Sequence, residues 1–144
     1  MATDSTQTYS KGRTDMINYA GETYTTSHTT ISRWTGASTF NHTFFTFGSG
    51  VVPHPAIVFE DNAFYGDGNL LLRQTSAGGT PATILTLPSE QTILALGIDP
   101  GTGKMLISTV NRPLIVSTIP TINKLLWYDG FSNKVSKSVI VDDM

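Results

Sequence analysis

ISRWTGASTFNHTFFTFGS (Ile31–Ser49) returns forty positions later as LLRQTSAGGTPATILTLPS (Leu71–Ser89). Six pairs are identical: Arg33/Arg73, Thr35/Thr75, Ala37/Ala77, Thr43/Thr83, Thr46/Thr86 and Ser49/Ser89. Four more keep their apolar character: Ile31/Leu71, Phe44/Ile84, Phe45/Leu85 and Phe47/Leu87. Chance would give about one identity over such a length, and a fixed period of this size marks a repeat architecture. The register extends upstream, where Tyr19/Phe59, Thr23/Ala63 and Tyr24/Phe64 fall in step.

Within each repeat the pattern has the period of a strand, not of a helix. Short β-branched or aromatic runs alternate with Gly, Asp, Asn and Pro. The first repeat predicts strands at Met16–Tyr19, Thr23–Thr26, Thr30–Trp34 and Thr43–Phe47. The second predicts Ala56–Phe59, Ala63–Tyr65, Asn69–Gln74 and Thr83–Leu87. A third unit is legible at Ile93–Ile98, Met105–Ser108, Lys124–Tyr128 and Lys137–Val141. The expected turns include Gly36–Asn41, Ser76–Pro81 and Asp99–Lys104. A four-stranded antiparallel meander repeated at about forty residues is the blade of a β-propeller. The expected fold is therefore all-β, with a polar arm at 1–12 and blade repeats at 13–52, 53–92 and 93–144. The third repeat carries an insertion at 110–123, where Pro113 and Pro120 oppose a regular central strand. Its apolar residues suit a covering flap or a subunit contact, and insertions on repeat folds also collect on binding faces.

Composition narrows the function classes. Of the 144 residues 39% are hydrophobic and only 14% charged, with a formal net charge of −2 and no cysteine. No Lys/Arg stripe offers a footprint for nucleic acid or for a membrane surface. Disulfide scaffolds and thiol chemistry are excluded. No stretch reaches the length of a membrane span, and the N-terminal residues lack the apolar core of a signal peptide. The compartment stays open, with a virion or an extracellular surface as candidates. Nucleophile-elbow, zincin, Walker and CxxC motifs are absent.

LGIDPGTGKMLIST (Leu96–Thr109) followed by KLLWYDG (Lys124–Gly130) resembles a blade of the NHL and gluconolactonase-like propellers. There a first strand ends in Asp-Pro, a Gly turn leads to an apolar second strand, and a third strand ends in an aromatic-Asp-Gly turn. The layout covers all three repeats, the wording only the third. Physical reasons for these residues stand beside the resemblance: Pro100 presets the turn torsion, Gly101 and Gly103 tolerate positive φ, and Asp99 can accept amide hydrogen bonds. Known propellers close with four to eight blades. Three would leave open edges and faces that invite association. The expectation is a piece of a longer protein, half of a ring completed by a second copy, or a stack capped by other subunits.

Candidate functional residues gather at the end of the blades that carries the second-to-third-strand turns and the inter-blade links. They are His28, His54, Asp67, Asn69, Glu90, Asn111 and Arg112, with Trp34 and Trp127 as candidate aromatic platforms. Imidazole and carboxylate groups that converged there could form an acid–base or metal site. The resemblance implies a divalent cation held by acidic and amide side chains, comparable only with Asp67, Asn69, Glu90 and Asn111. No local wording supports those ligands, and solvated loop residues are the simpler reading. The expected function is a non-catalytic structural or binding module in a larger assembly, such as a virus or phage particle or a surface structure. Its partners would be other protein subunits, as a homo-oligomer or a larger assembly, with neither cofactor nor metal, nucleic acid or membrane. The alternatives are a metal-dependent gluconolactonase-like hydrolase and a carbohydrate-binding propeller.

Overall fold

Each of the twelve expected runs is a strand in the computed structural model, which describes residues 15–49, 52–111 and 122–141. The first sheet is the meander β1 (Asp15–Tyr19), β2 (Glu22–Thr26), β3 (Thr30–Gly36) and β4 (Thr39–Thr46). The second is β5 (Ala56–Phe59), β6 (Asn62–Asp67), β7 (Leu70–Gln74) and β8 (Ala82–Thr86). The third is β9 (Gln91–Ile98), β10 (Met105–Asn111), β11 (Asn123–Tyr128) and β12 (Lys137–Val141). All pairings are antiparallel, and there is no helix among the described residues. The forty-residue echo is a structural register: Tyr24 opposes Arg33 in the first sheet as Phe64 opposes Arg73 in the second. The amides of Phe47 and Leu87 likewise bond the carbonyls of Thr29 and Asn69, each at 2.9 Å.

The sheets stack in chain order and converge on their first strands. β1 lies beside β5, and β5 and β6 lie beside β9, while the fourth strands make no comparable contact with one another. This fan is open and does not close into a ring. Alternation along the strands divides the core in two. Ala63, Tyr65 and Leu72 of the second sheet meet Ile17, Tyr19, Tyr24 and Ile31 of the first. Phe59, Phe64, Leu71 and Leu85 point the other way, onto Ile93, Met105, Ile107, Leu126 and Tyr128 of the third. The first three strands of the middle sheet are thus covered on both faces, whereas β8 is mostly exposed, and Ala63 to Asp67 form an unbroken buried run. Its polar members are satisfied: the Tyr65 hydroxyl donates to Gln74 Oε1 at 2.7 Å, and the Gln74 amide donates to the Ser76 carbonyl at 3.0 Å. Burial raises the Tyr65 phenol well above its ordinary range.

Two boundaries differ from expectation. The turn expected at Gly36–Asn41 shrinks to two residues, because β4 begins at Thr39. Cross-strand packing of Phe40 on Trp34, with centroids 4.9 Å apart, extends that hairpin through two register shifts. The matching stretch of the second sheet contains Gly78, Gly79 and Pro81, and it stays a loop. In the third sheet the ladder takes in both ends of the expected insertion. Val110 pairs with Asn123, and the Asn111 amide bonds the Ile122 carbonyl at 3.0 Å. Residues 112–121 lie outside the described residues, as do those of the expected N-terminal arm.

The Asp99–Lys104 turn matches its expected chemistry. Asp99 Oδ1 accepts from the Gly101 amide at 3.0 Å, and Gly103 has φ +74. Gly101, by contrast, is not left-handed. The first hairpins of the other two sheets use both central residues at positive φ, the type I′ requirement. These are Ala20 (52°) and Gly21 (80°), then Glu60 (51°) and Asp61 (65°). The second pair lacks glycine. Asp61→Gly is therefore expected to stabilise the chain by about 0.5 kcal/mol, since relief of left-handed strain outweighs the added freedom of the unfolded chain. Urea unfolding would show a higher midpoint at unchanged slope, and a lower midpoint would contradict the turn assignment.

Candidate functional site

The turns β2–β3 and β6–β7 and the links between sheets share one end of the fan, as expected. There the structure brings His28 and His54 together, but through the backbone. His54 is buried, with Nε2 3.1 Å from the His28 carbonyl and Nδ1 2.8 Å from the Gly66 carbonyl. Any ring N–H that it carries has an acceptor. Its ring stacks on Phe47 at 3.7 Å with 3° between planes, and the Thr26 hydroxyl donates to its carbonyl at 2.7 Å.

Asp67 is buried, and its two carboxylate oxygens accept from the amides of Gly48 (2.9 Å) and Ser49 (2.8 Å). The Asn69 amide donates to the Leu87 carbonyl at 2.8 Å. Both residues tie the chain leaving a fourth strand to the β6–β7 turn. Glu90 is exposed in the link to β9, and Asn111 ends β10 opposite Gln91. Arg112 lies outside the described residues. Among the described residues no three His, Asp or Glu side chains converge as metal ligands. What this end offers chemically is a set of polar clamps on backbone groups.

Trp34 and Trp127 sit on the outward faces of the first and third sheets, opposite to the side chains of the core. Trp34 opposes Thr23 and donates its indole N–H to Thr25 Oγ1 at 3.1 Å. Phe40 and His42 complete an aromatic cluster with it, stacked on each other at 4.4 Å. His42 Nδ1 is also 3.1 Å from the Ser32 hydroxyl. A cavity of about 460 Å³ beside Trp34 is walled by Met16, Thr23, Thr25 and Gly36. On the third sheet Trp127 donates to Asp99 Oδ2 at 2.9 Å, and the Lys137 ammonium lies 4.8 Å over its ring. That indole bond is the main reason why the Asp99 carboxyl is held below its ordinary range, followed by those from Thr102 and Gly101.

The opposite end of the fan holds charge that the choice of candidates missed. Arg33 binds Glu22 through two hydrogen bonds, Nε to Oε1 at 2.9 Å and Nη2 to Oε2 at 2.8 Å. The Tyr24 hydroxyl donates to Glu22 Oε1 at 2.6 Å and accepts from the Gly78 amide at 2.9 Å, joining the first sheet to the second. Hydrogen bonds from Arg33 and then Tyr24 hold the Glu22 carboxyl low, while burial and then Glu22 raise the Tyr24 phenol. The repeat pair Arg33/Arg73 was the available signal. Arg73 spans the next boundary in the same sense, donating from Nη1 to the Gly130 carbonyl at 3.4 Å. Nearby, burial and then the Asp129 charge push the Tyr128 phenol up to about 12.

No protein-family model matches this chain, and no curated protein or solved structure does so either. The architecture and its geometry therefore carry the functional argument. No helix of the described residues is long and apolar enough to cross a membrane.

Proposed function

We propose that this chain is a non-catalytic structural or binding module, a subunit of a larger assembly whose neighbours cover its two outer sheet faces. The contrast between the middle sheet and the outer ones carries this reading. The middle sheet has a sheet on each side, and its first three strands are covered on both faces. The first leaves Met16 (64% exposed) and Phe40 (48%) outward, and the third leaves Val139 (40%) and Val141 (45%) beside half-buried Leu125 and Trp127. Apolar faces of this kind, ending in the wholly exposed edge strand β12, are suited to association.

The simplest partner is a second copy. Its first sheet would meet this chain's third, and a two-fold pair would satisfy both faces at once. The resemblance of Leu96–Thr109 and Lys124–Gly130 to NHL and gluconolactonase-like blades supports reading the sheets as blades of a ring completed in this way. By fold-level analogy such a module suits a virus or phage particle or a surface structure.

Sedimentation of the full chain at micromolar concentration is expected to give a dimer or a larger closed assembly. The double variant Leu125→Asp/Val139→Asp is expected to shift it to a folded monomer. A well-folded monomer of the unaltered chain would overturn the proposal. If that monomer also showed indole fluorescence responsive to a neutral oligosaccharide, the carbohydrate-binding reading centred on Trp34 would replace it.

A further inference from the structure

The two boundaries between sheets carry the same device with one part changed. At the first, Arg33 is neutralised in place by the Glu22 carboxylate, and Gly78 closes over the guanidinium, where an added Cβ would lie 2.8 Å from Nη2. At the second, Arg73 takes the place of Arg33, but the position of Glu22 is filled by Asn62, forty residues on. The Tyr24 position likewise becomes Phe64. Among the described residues Arg73 therefore has no carboxylate partner, only the long bond to the Gly130 carbonyl, and the Asn62 side-chain amide makes no hydrogen bond to them.

A cavity of about 430 Å³ opens at the second boundary, beside Arg73. Arg73, Asn62 and Lys104 line it, with the exposed ring of Phe131 as an apolar wall and Phe59 buried beside it. Two acidic residues also border it. Glu60 is exposed to water at the rim. Asp129 already accepts from the amides of Phe131 (2.9 Å) and Ser132 (2.8 Å) and from the Ser132 hydroxyl. Those donors are neutral, so Asp129 keeps its charge, and Lys104 acts on it through space. Arg73 has no carboxylate within ion-pair distance among the described residues, and its planar fork matches one.

We propose that this crevice binds an acidic sugar of the uronic acid class. Its carboxylate occupies on Arg73 the place that Glu22 occupies on Arg33, while Lys104 offsets the charge of Asp129. The Asn62 side-chain amide supplies hydrogen bonds to ring hydroxyls, and the ring lies against Phe131. An aromatic wall with a few convergent polar groups is the usual lining of such a site. It lies at the end of the fan opposite the inter-sheet links, away from the outward sheet faces, so it stands apart from the assembly proposal.

The test is titration of the full chain with glucuronate, glucose and inorganic phosphate, followed by calorimetry and by the Arg73 side-chain NMR signal. Glucuronate is expected to bind and shift that signal, and glucose and phosphate to bind at least about tenfold more weakly. Arg73→Gln should weaken glucuronate about ten- to a hundredfold. Asn62→Glu should rebuild the internal ion pair and abolish binding while the melting temperature holds or rises, which separates ligand loss from misfolding. Absence of glucuronate binding at millimolar concentration, equal binding of phosphate, or full binding by folded Asn62→Glu would each overturn the proposal.

Discussion

Phe64→Ala is expected to lower folding stability by about 3–5 kcal/mol, the range for removing a fully buried aromatic side chain. Phe64 is 0% exposed at the centre of the boundary between the second and third sheets. Its ring meets Phe59 edge-on, with centroids 6.2 Å apart and 65° between planes. Around it stand Leu71, Met105, Leu126 and Tyr128, which come from two different sheets and cannot collapse inward without moving strands. The cavity left behind would therefore persist, and its cost would add to the lost transfer energy. A domain of this kind has about 5–15 kcal/mol in total, so the variant should lose a large share of its stability. Phe131→Ala, with an exposed ring, is the control and should stay within about 0.5 kcal/mol. A loss below about 1 kcal/mol for Phe64→Ala in urea unfolding would mean that these two sheets do not share a core.

The same residue shows why the fold was legible. Phe64 falls forty positions after Tyr24, and the two fill matching places at successive boundaries because each opposes an arginine across its hairpin. Strand identity survived translation from the sequence since burial on alternating faces imposes a period of two, and the turns carry their own chemistry. Length was harder. Sequence could not show that Trp34 and Phe40 would pack and draw the β3–β4 turn down to two residues. The candidate site was legible as a place but not as chemistry. His28, His54, Asp67 and Asn69 do gather at one end, yet their partners are mostly backbone carbonyls and amides, which leave no mark in a sequence. The more informative position was the departure from the echo, Glu22 against Asn62, outside the stretch with the highest identity. An altered repeat position shows where two otherwise equal boundaries are asked to differ.

The clamps at the link end make the second strong expectation, a loss of about 2–3 kcal/mol for Asp67→Ala. A carboxylate buried to this degree is costly unless its lone pairs are used, and here Oδ2 accepts from the Gly48 amide and Oδ1 from the Ser49 amide. Truncation strands both donors where the chain leaves the first sheet for the second. Water can reach Gly48, which is exposed, so the loss should fall short of two fully buried orphan amides. Asp67→Asn should lie between the two, because its amide keeps one acceptor oxygen but turns an NH2 group toward the other donor. The clamp acts on a link and not on a core, so the damage should be local. Amide exchange at Gly48 and Ser49 should accelerate in both variants, while the third-sheet amides of Ile107 and Leu126 should report only the global loss. Equal acceleration across all three sheets would mean that Asp67 supports the whole stack. No acceleration at Gly48 would mean that the link is held by the stacking of Phe47 on His54 instead, with the carboxylate as a bystander.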